Sequence, residues 1–217
     1  MEKKEEVSLE TIAAFFKHGG PFMYIIALAM VFGYAIAIER IIVLAFRTRI
    51  DSATFVNRIL ELVHSGNLGR AIDYARRSDA PLPRIVRAGL EQLHNGGGEK
   101  DVQRAFELAA LVEVPKLEKR THYLSTIANV ATLLGLLGTI FGLIVSFQAV
   151  AQAEAAQKAE LLSVGISQAM NTTAFGLIVA IPCLLAYGYL QEKTNGLLDE
   201  INENVARLFH GLMARRG

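Results

Sequence analysis

The chain has 217 residues and a net charge of +1, and it is 52% hydrophobic and 20% charged. No basic excess points to a nucleic-acid partner, and the single cysteine, Cys183, rules out an internal disulfide and reads as a small apolar packing residue. Charge and hydropathy are segregated along the chain: 20 residues from Gly19 to Ile38, 33 from Thr121 to Ala153 and 31 from Leu161 to Gln191 carry no formal charge. A bilayer's hydrocarbon core takes roughly 20 apolar residues of helix. A chain this short cannot bury three such helices on all sides in a soluble core, so each stretch predicts a transmembrane helix.

In chain order, residues 1–20 are expected to form an N-terminal periplasmic segment. Met1 to Glu6 mixes both charge signs, and the apolar run that follows exceeds the h-region of a signal peptide, so the first span, residues 21–46, reads as a retained anchor. Glu39 and Arg40 fall at its cytoplasmic edge, within reach of the interface. Residues 47–122 predict a cytoplasmic helical loop. Ser52 would cap a helix running to about His64, Gly66-Asn67 breaks it, and Leu68 to Arg77 makes a short second helix. Pro81 and Pro83 open a third helix that ends near His94, and Asn95-Gly96-Gly97-Gly98 is a turn. No Gly-Lys-Ser/Thr follows those glycines, so they do not read as a phosphate loop.

From Glu99 the helical pattern runs to about Ala151, interrupted only by Pro115. Some 50 residues at about 1.5 Å each give about 75 Å, which predicts a long cytoplasmic extension. The second span is placed at 123–152, a periplasmic loop at 153–162, the third span at 163–190 and a cytoplasmic C-terminal helix at 191–217. Beyond Gln191, the residues Leu197, Ile201, Val205, Leu208 and Leu212 form one apolar stripe, which needs either the long loop or a neighbouring subunit as its partner. Orientation follows from charge. The segment from Arg47 to Arg120 holds 13 Lys or Arg, whereas the loop from Glu154 to Glu160 holds only Lys158. The positive-inside rule puts the long loop and the C-terminus in the cytoplasm and the N-terminus outside.

No soluble active site is expected. The five histidines are scattered without metal-ligand spacing, and there is no nucleophile motif, dinucleotide fingerprint or Walker sequence, so neither metal nor cofactor is called for. The informative residues are polar ones inside the apolar stretches. Ser125, Asn129, Thr132, Thr139 and Ser146 recur at spacings of 4, 3, 7 and 7 along one helix face. In the third span Gln168 and Thr172 share a face, with Asn171 and Thr173 beside it. These residues serve either as interhelical hydrogen-bonding glue, worth about 0.6 kcal/mol per contact, or as a hydrated lining for a polar or ionised group. Gly135, Gly138 and Gly142, and Gly176 with Ala180, permit close helix approach either within one subunit or between subunits. None of the three apolar stretches contains Asp, Glu, Lys or Arg, apart from the edge pair Glu39 and Arg40. Transport of protons or cations commonly uses an intramembrane carboxylate. If this chain conducts ions, another chain supplies that group.

The run Leu134-Gly135-Leu136-Leu137-Gly138-Thr139-Ile140-Phe141-Gly142-Leu143-Ile144 resembles the second-span motif of the MotA/TolQ/ExbB proton-channel family. The run from Gly165 through Gln168, Thr172, Thr173 and Gly176 to Pro182 resembles its third-span motif, and Glu39-Arg40 resembles the end of its first span. Three spans with a large first cytoplasmic loop are similar to the TolQ/ExbB branch. The resemblance implies an all-α membrane protein, a pentameric bundle whose second and third spans surround single-span partners of the ExbD/TolR type. A partner aspartate would carry the proton, and its flow would drive movement that does work at the envelope: energised import, Tol-Pal maintenance or gliding. By position, Thr139 and Thr173 match the family's pore threonines, and Gln168, Thr172, Thr132 and Asn129 complete the implied lining. Gly135, Gly138, Gly142, Gly176 and Pro182 would serve packing. Gln168 stands where several members have Glu, so a charge at that position is lost, although an amide can still orient water or a partner carboxylate. The rival readings are a non-conducting scaffold that anchors partners and an autonomous ion channel.

Overall fold

The structure, a computed structural model, describes residues 15–16, 19–47 and 50–214. It contains seven helices of eight residues or more: α1 (Pro21–Arg47), α2 (Ser52–His64), α3 (Leu68–Ala75), α4 (Pro81–His94), α5 (Glu99–Glu118), α6 (Thr121–Gln152) and α7 (Lys158–Met213). No strand occurs among the described residues. Three helical stretches are long and apolar enough to cross a membrane: Pro21–Ala45, Glu99–Gln152 and Lys158–Met213. The fold is that of an all-α membrane protein. Of the expected N-terminal segment, residues 1–14 and 17–18 lie outside the described residues, as do the C-terminal residues 215–217.

The chain forms two compact units. One comprises the chain up to Ile38 together with Thr121–Gly188. Its three helices meet through small side chains. Ala128, Ala131, Gly135, Gly138 and Gly142 are buried on α6, facing Ala169, Gly176 and Ala180 on α7. A Cβ on Gly176 would sit 2.7 Å from the Ala131 carbonyl oxygen and 3.1 Å from the Gly135 Cα. The α6 backbone therefore approaches so closely that only hydrogen fits there. Gly135, Gly138, Gly142 and Gly176 thus line the α6–α7 contact within the chain. Cys183, 1% exposed, sits in an apolar cluster with Met23, Ile26, Phe175 and Val179. Pro182 lies inside α7 at an exposed position. Outward, α6 presents Leu133, Leu136, Leu137, Ile140 and Ile144, the apolar surface that lipid or another membrane helix requires.

The other unit comprises Glu39–Arg120 and Tyr189–Gly217 and has a core of the soluble kind. Phe55, Val56, Ile59, Ile72, Ile85, Val86, Leu90, Val102 and Phe106 from α2 to α5 pack with Ile201, Leu208 and Leu212 of α7, and Val205 lies half-buried beside them. Ile201, Val205, Leu208 and Leu212 of the apolar stripe that follows Gln191 thus pack against the long loop of their own chain. Glu113, almost buried on α5, is met by Lys116 Nζ at 2.6 Å and by an Arg84 guanidinium nitrogen at 3.5 Å. Arg84 also donates to Asp79 at 3.1 Å, and these carboxylates push its pKa up.

Three local expectations change. The cap of α2 is Asp51, not Ser52: its carboxylate accepts from the Thr54 N–H at 3.1 Å and the Thr54 hydroxyl at 2.6 Å, which holds the Asp51 pKa below its ordinary value. Ser52 is then the first helical residue, and it is buried. The helix expected from Glu99 to about Ala151 is two helices, and the break is not at Pro115. That residue sits inside α5, which ends at Glu118, and Arg120 adopts φ +69 before α6 begins at Thr121. A left-handed conformation costs a residue with a Cβ about 1–2 kcal/mol, so the joint needs support. The support comes from the last turns of α1. Arg40 is tucked into this joint. It is 3% exposed and donates to the Leu117 carbonyl, one of the last carbonyls of α5, while Glu39 pairs with Arg120 at 2.6 Å. Helix C-termini leave carbonyls without internal donors and attract cations, which is what Arg40 supplies.

Candidate functional site

The close approach of α6 and α7 at Gly135 and Gly176 sets the geometry of the polar residues beside them. Thr139 and Thr173, both half-buried, have their hydroxyls in direct hydrogen-bond contact. Thr139 Oγ1 also lies 3.2 Å from the Gly135 carbonyl and 3.3 Å from that of Ala169, and Thr173 Oγ1 lies 3.0 Å from the Gly135 carbonyl. Two hydroxyl protons therefore meet two backbone acceptors and each other. Such a set can reorganise without leaving any group unpaired, since a hydroxyl donates one hydrogen bond and accepts others. The pair lies within charge-free stretches of sequence.

The other expected lining residues occupy different settings. Thr172, 1% exposed, turns into the protomer and donates to the Gly19 carbonyl at 2.7 Å, with its own helix's Gln168 carbonyl at 2.9 Å. Gln168 is half-buried beside Gly20. Thr132, two helical turns before Thr139, bonds back to Ala128 at 3.0 Å, and Asn129 is exposed on the surface of α6. Ser146, at the far end of the stripe, is 4% exposed and donates to the Leu161 carbonyl at 3.1 Å. Along the polar stripe Ser125, Thr132 and Thr139 are half-buried, Asn129 is exposed and Ser146 is buried. Thr139 and Thr173 are the pair whose side chains meet across the α6–α7 seam among the described residues.

Sequence reasoning missed the segment that leads into α1. Gly19 and Gly20 form a turn with Gly20 at φ +74, and the preceding Phe16 and Phe15 place their rings 5.1 and 6.1 Å from that of Phe175. The signal was present in Phe15-Phe16 followed by Gly19-Gly20-Pro21, an aromatic pair and a turn directly ahead of a span. Among the described residues no group of three or more His, Cys, Asp or Glu is placed to hold a metal ion.

Residues 77–203, which contain both threonines and the glycines that bring their helices together, match the sequence profile of the MotA/TolQ/ExbB proton channel family. The chain belongs to this family. With three membrane-crossing helical stretches, this makes it an inner-membrane protein of a channel family. Among MotA/TolQ/ExbB relatives, the chain is 29% identical to an ExbB homolog of Methanothermobacter thermautotrophicus over 88% of this chain and 67% of that protein. It is 34% identical to an ExbB-like biopolymer transport protein of Synechocystis, over 71% of this chain and 76% of the relative. To the Tol-Pal system protein TolQ of Haemophilus influenzae it is 37% identical, over 45% of this chain and 42% of TolQ.

Proposed function

We propose that this chain is the channel subunit of an inner-membrane motor that couples proton flow to mechanical work on the cell envelope. Five copies form a bundle in which α6 and α7 surround single-span helices of the ExbD/TolR type. The N-terminus is periplasmic and the C-terminus cytoplasmic, in keeping with the 13 basic residues between Arg47 and Arg120. The work done is energised transport, envelope maintenance or gliding; the relatives are named for biopolymer transport and for the Tol-Pal system.

The observation that carries this reading is the Thr139–Thr173 hydroxyl pair on two helices that hold no carboxylate of their own at that depth. An ionised aspartate near mid-membrane costs about 2.5–3.5 kcal/mol on insertion scales. A partner aspartate that alternates between charged and neutral forms needs a wall able to serve both. A hydroxyl donates to the carboxylate and accepts from the acid, and a pair of them stabilises each state in turn.

The test is proton flux into vesicles carrying this chain with its single-span partner, alongside recovery of the partner by pull-down. Thr139→Val and Thr173→Val keep the shape and remove the hydroxyl. Each is expected to leave assembly intact and to lower flux by about 100-fold, the scale on which loss of one preorganised donor acts in enzyme sites. Full flux from both variants with intact complexes would make the polar stripe packing glue. Flux from this chain without a partner would make it an autonomous channel, and the absence of flux in the complete wild-type complex would leave a scaffold.

A further inference from the structure

We infer that Gln168 and Thr172 are positioning residues: they hold the Gly19–Gly20 turn against α7 and so set the rotation of that helix at which Thr173 meets Thr139. This rests on the hydroxyl-pair reading of the site and says what keeps the pair in register.

Two contacts of α7 converge on the turn, and a third packs beside it. The Thr172 hydroxyl is buried and gives its proton to the Gly19 carbonyl at 2.7 Å. Gly20, at φ +74, lies flush against the Gln168 side-chain amide, so that a Cβ there would overlap the amide. On the α6 side Gly138 leaves the space: a Cβ on it would stand 3.0 Å from the Thr172 Cβ and 3.4 Å from the Phe22 Cβ. The Phe22 ring then packs edge-on to Phe141 of α6, with centroids 5.5 Å apart. Residues 19–22, α6 and α7 thus interlock at one point.

That point adjoins the hydroxyl pair in sequence on both helices, because Gly138 precedes Thr139 and Thr172 precedes Thr173. Successive residues of a helix are fixed in angle to one another. A rotation of α7 that carried Thr173 away from Thr139 would pull Thr172 from the Gly19 carbonyl. That would leave a buried acceptor without its partner, and such a loss is costly wherever water is excluded. The turn therefore resists the motion that would separate the pair. It also gives Gln168 a role that needs no charge: a neutral amide packs against a backbone turn without the desolvation cost a carboxylate would carry there.

The experiment uses the complete complex in vesicles and reads proton flux against pH. Thr172→Val removes the donor and keeps the volume, and it is expected to cut flux about tenfold and to displace the pH midpoint of flux, with normal oligomer yield. Thr172→Ser restores the hydroxyl and is expected to recover most of the flux. Gly20→Ala alone should be severe, because it adds both the overlap and a strained backbone. In the Gln168→Ala background the overlap is gone, so the double variant should lose less than the product of the two single losses. Two results would overturn the inference while Thr139→Val still abolishes flux: a Thr172→Val complex with wild-type flux and pH midpoint, or Gly20 and Gln168 losses that simply multiply. If Thr139→Val itself retains flux, the hydroxyl-pair reading fails first and this inference falls with it.

Discussion

At the scale of single residues, the decisive contacts are those in which there is no side chain to give way. A Cβ on Gly176 would meet the Ala131 carbonyl at 2.7 Å, and neither backbone can yield without moving a whole helix. Gly176→Ala is therefore expected to destabilise the protomer by about 1–3 kcal/mol, the usual cost of overpacking, read as a lower unfolding temperature in detergent. Gly188→Ala on the same helix is the control. Nothing lies within 4 Å of the position its Cβ would take, so it should be neutral or slightly stabilising. The glycine run around Gly135, together with Thr139 and Thr173, was legible in the sequence as a seam that needs close approach. The partner of Thr172 was not, because a hydroxyl bonded to a carbonyl 153 residues away leaves no periodic trace.

At the scale of elements, helix starts and stops followed their local chemistry, and the surprises arose where tertiary contacts overrode it. Pro81 opens α4 and Gly96, at φ +83, closes it, as sequence reasoning anticipates. Pro115 does not end α5. The break comes at Lys119–Arg120, where Glu39 and Arg40 of α1 take hold, and no pattern within residues 99–151 encodes a contact made by α1. Two variants separate the parts of this joint. Arg40→Ala strips a charged donor from a C-terminal carbonyl in a buried setting and should cost at least about 1.5–3 kcal/mol. Arg120→Gly relieves a left-handed conformation worth about 1–2 kcal/mol while giving up a half-exposed ion pair worth about 0–1 kcal/mol. It should leave thermal stability unchanged or raise it. A marked loss from Arg120→Gly would mean that the ion pair, and not Arg40, holds the joint.

At the scale of the whole molecule, the two compositional regimes seen in the sequence became two units with different interiors, one of glycine and alanine contacts and one of branched aliphatic and aromatic packing. The protomer's outward apolar face on α6 suits lipid, but Asn129 is exposed on the same helix, and an amide turned to hydrocarbon lacks partners. Homo-oligomers that enclose this side are the expected state. The mass of the detergent-extracted complex should correspond to five chains of 23.7 kDa plus partner and detergent, and a mass fitting one chain would overturn it. Cysteines placed at Ala155 and Gly97 should react with impermeant reagents from opposite sides of the membrane, and reaction of both from the periplasm would invert the topology.

The Gly19–Thr172 bond also sets a clock on biogenesis. Its two ends are 153 residues apart, and chains emerge at about 5–20 residues per second. The segment ahead of α1 therefore waits about 8–30 s after leaving the ribosome for the hydroxyl that will receive it. Throughout that interval its carbonyl lacks the Thr172 donor it has in the folded chain. The first helix to be inserted is the last to be finished, and a nascent chain arrested before residue 158 should leave Gly19 open to protease where the completed protein is closed.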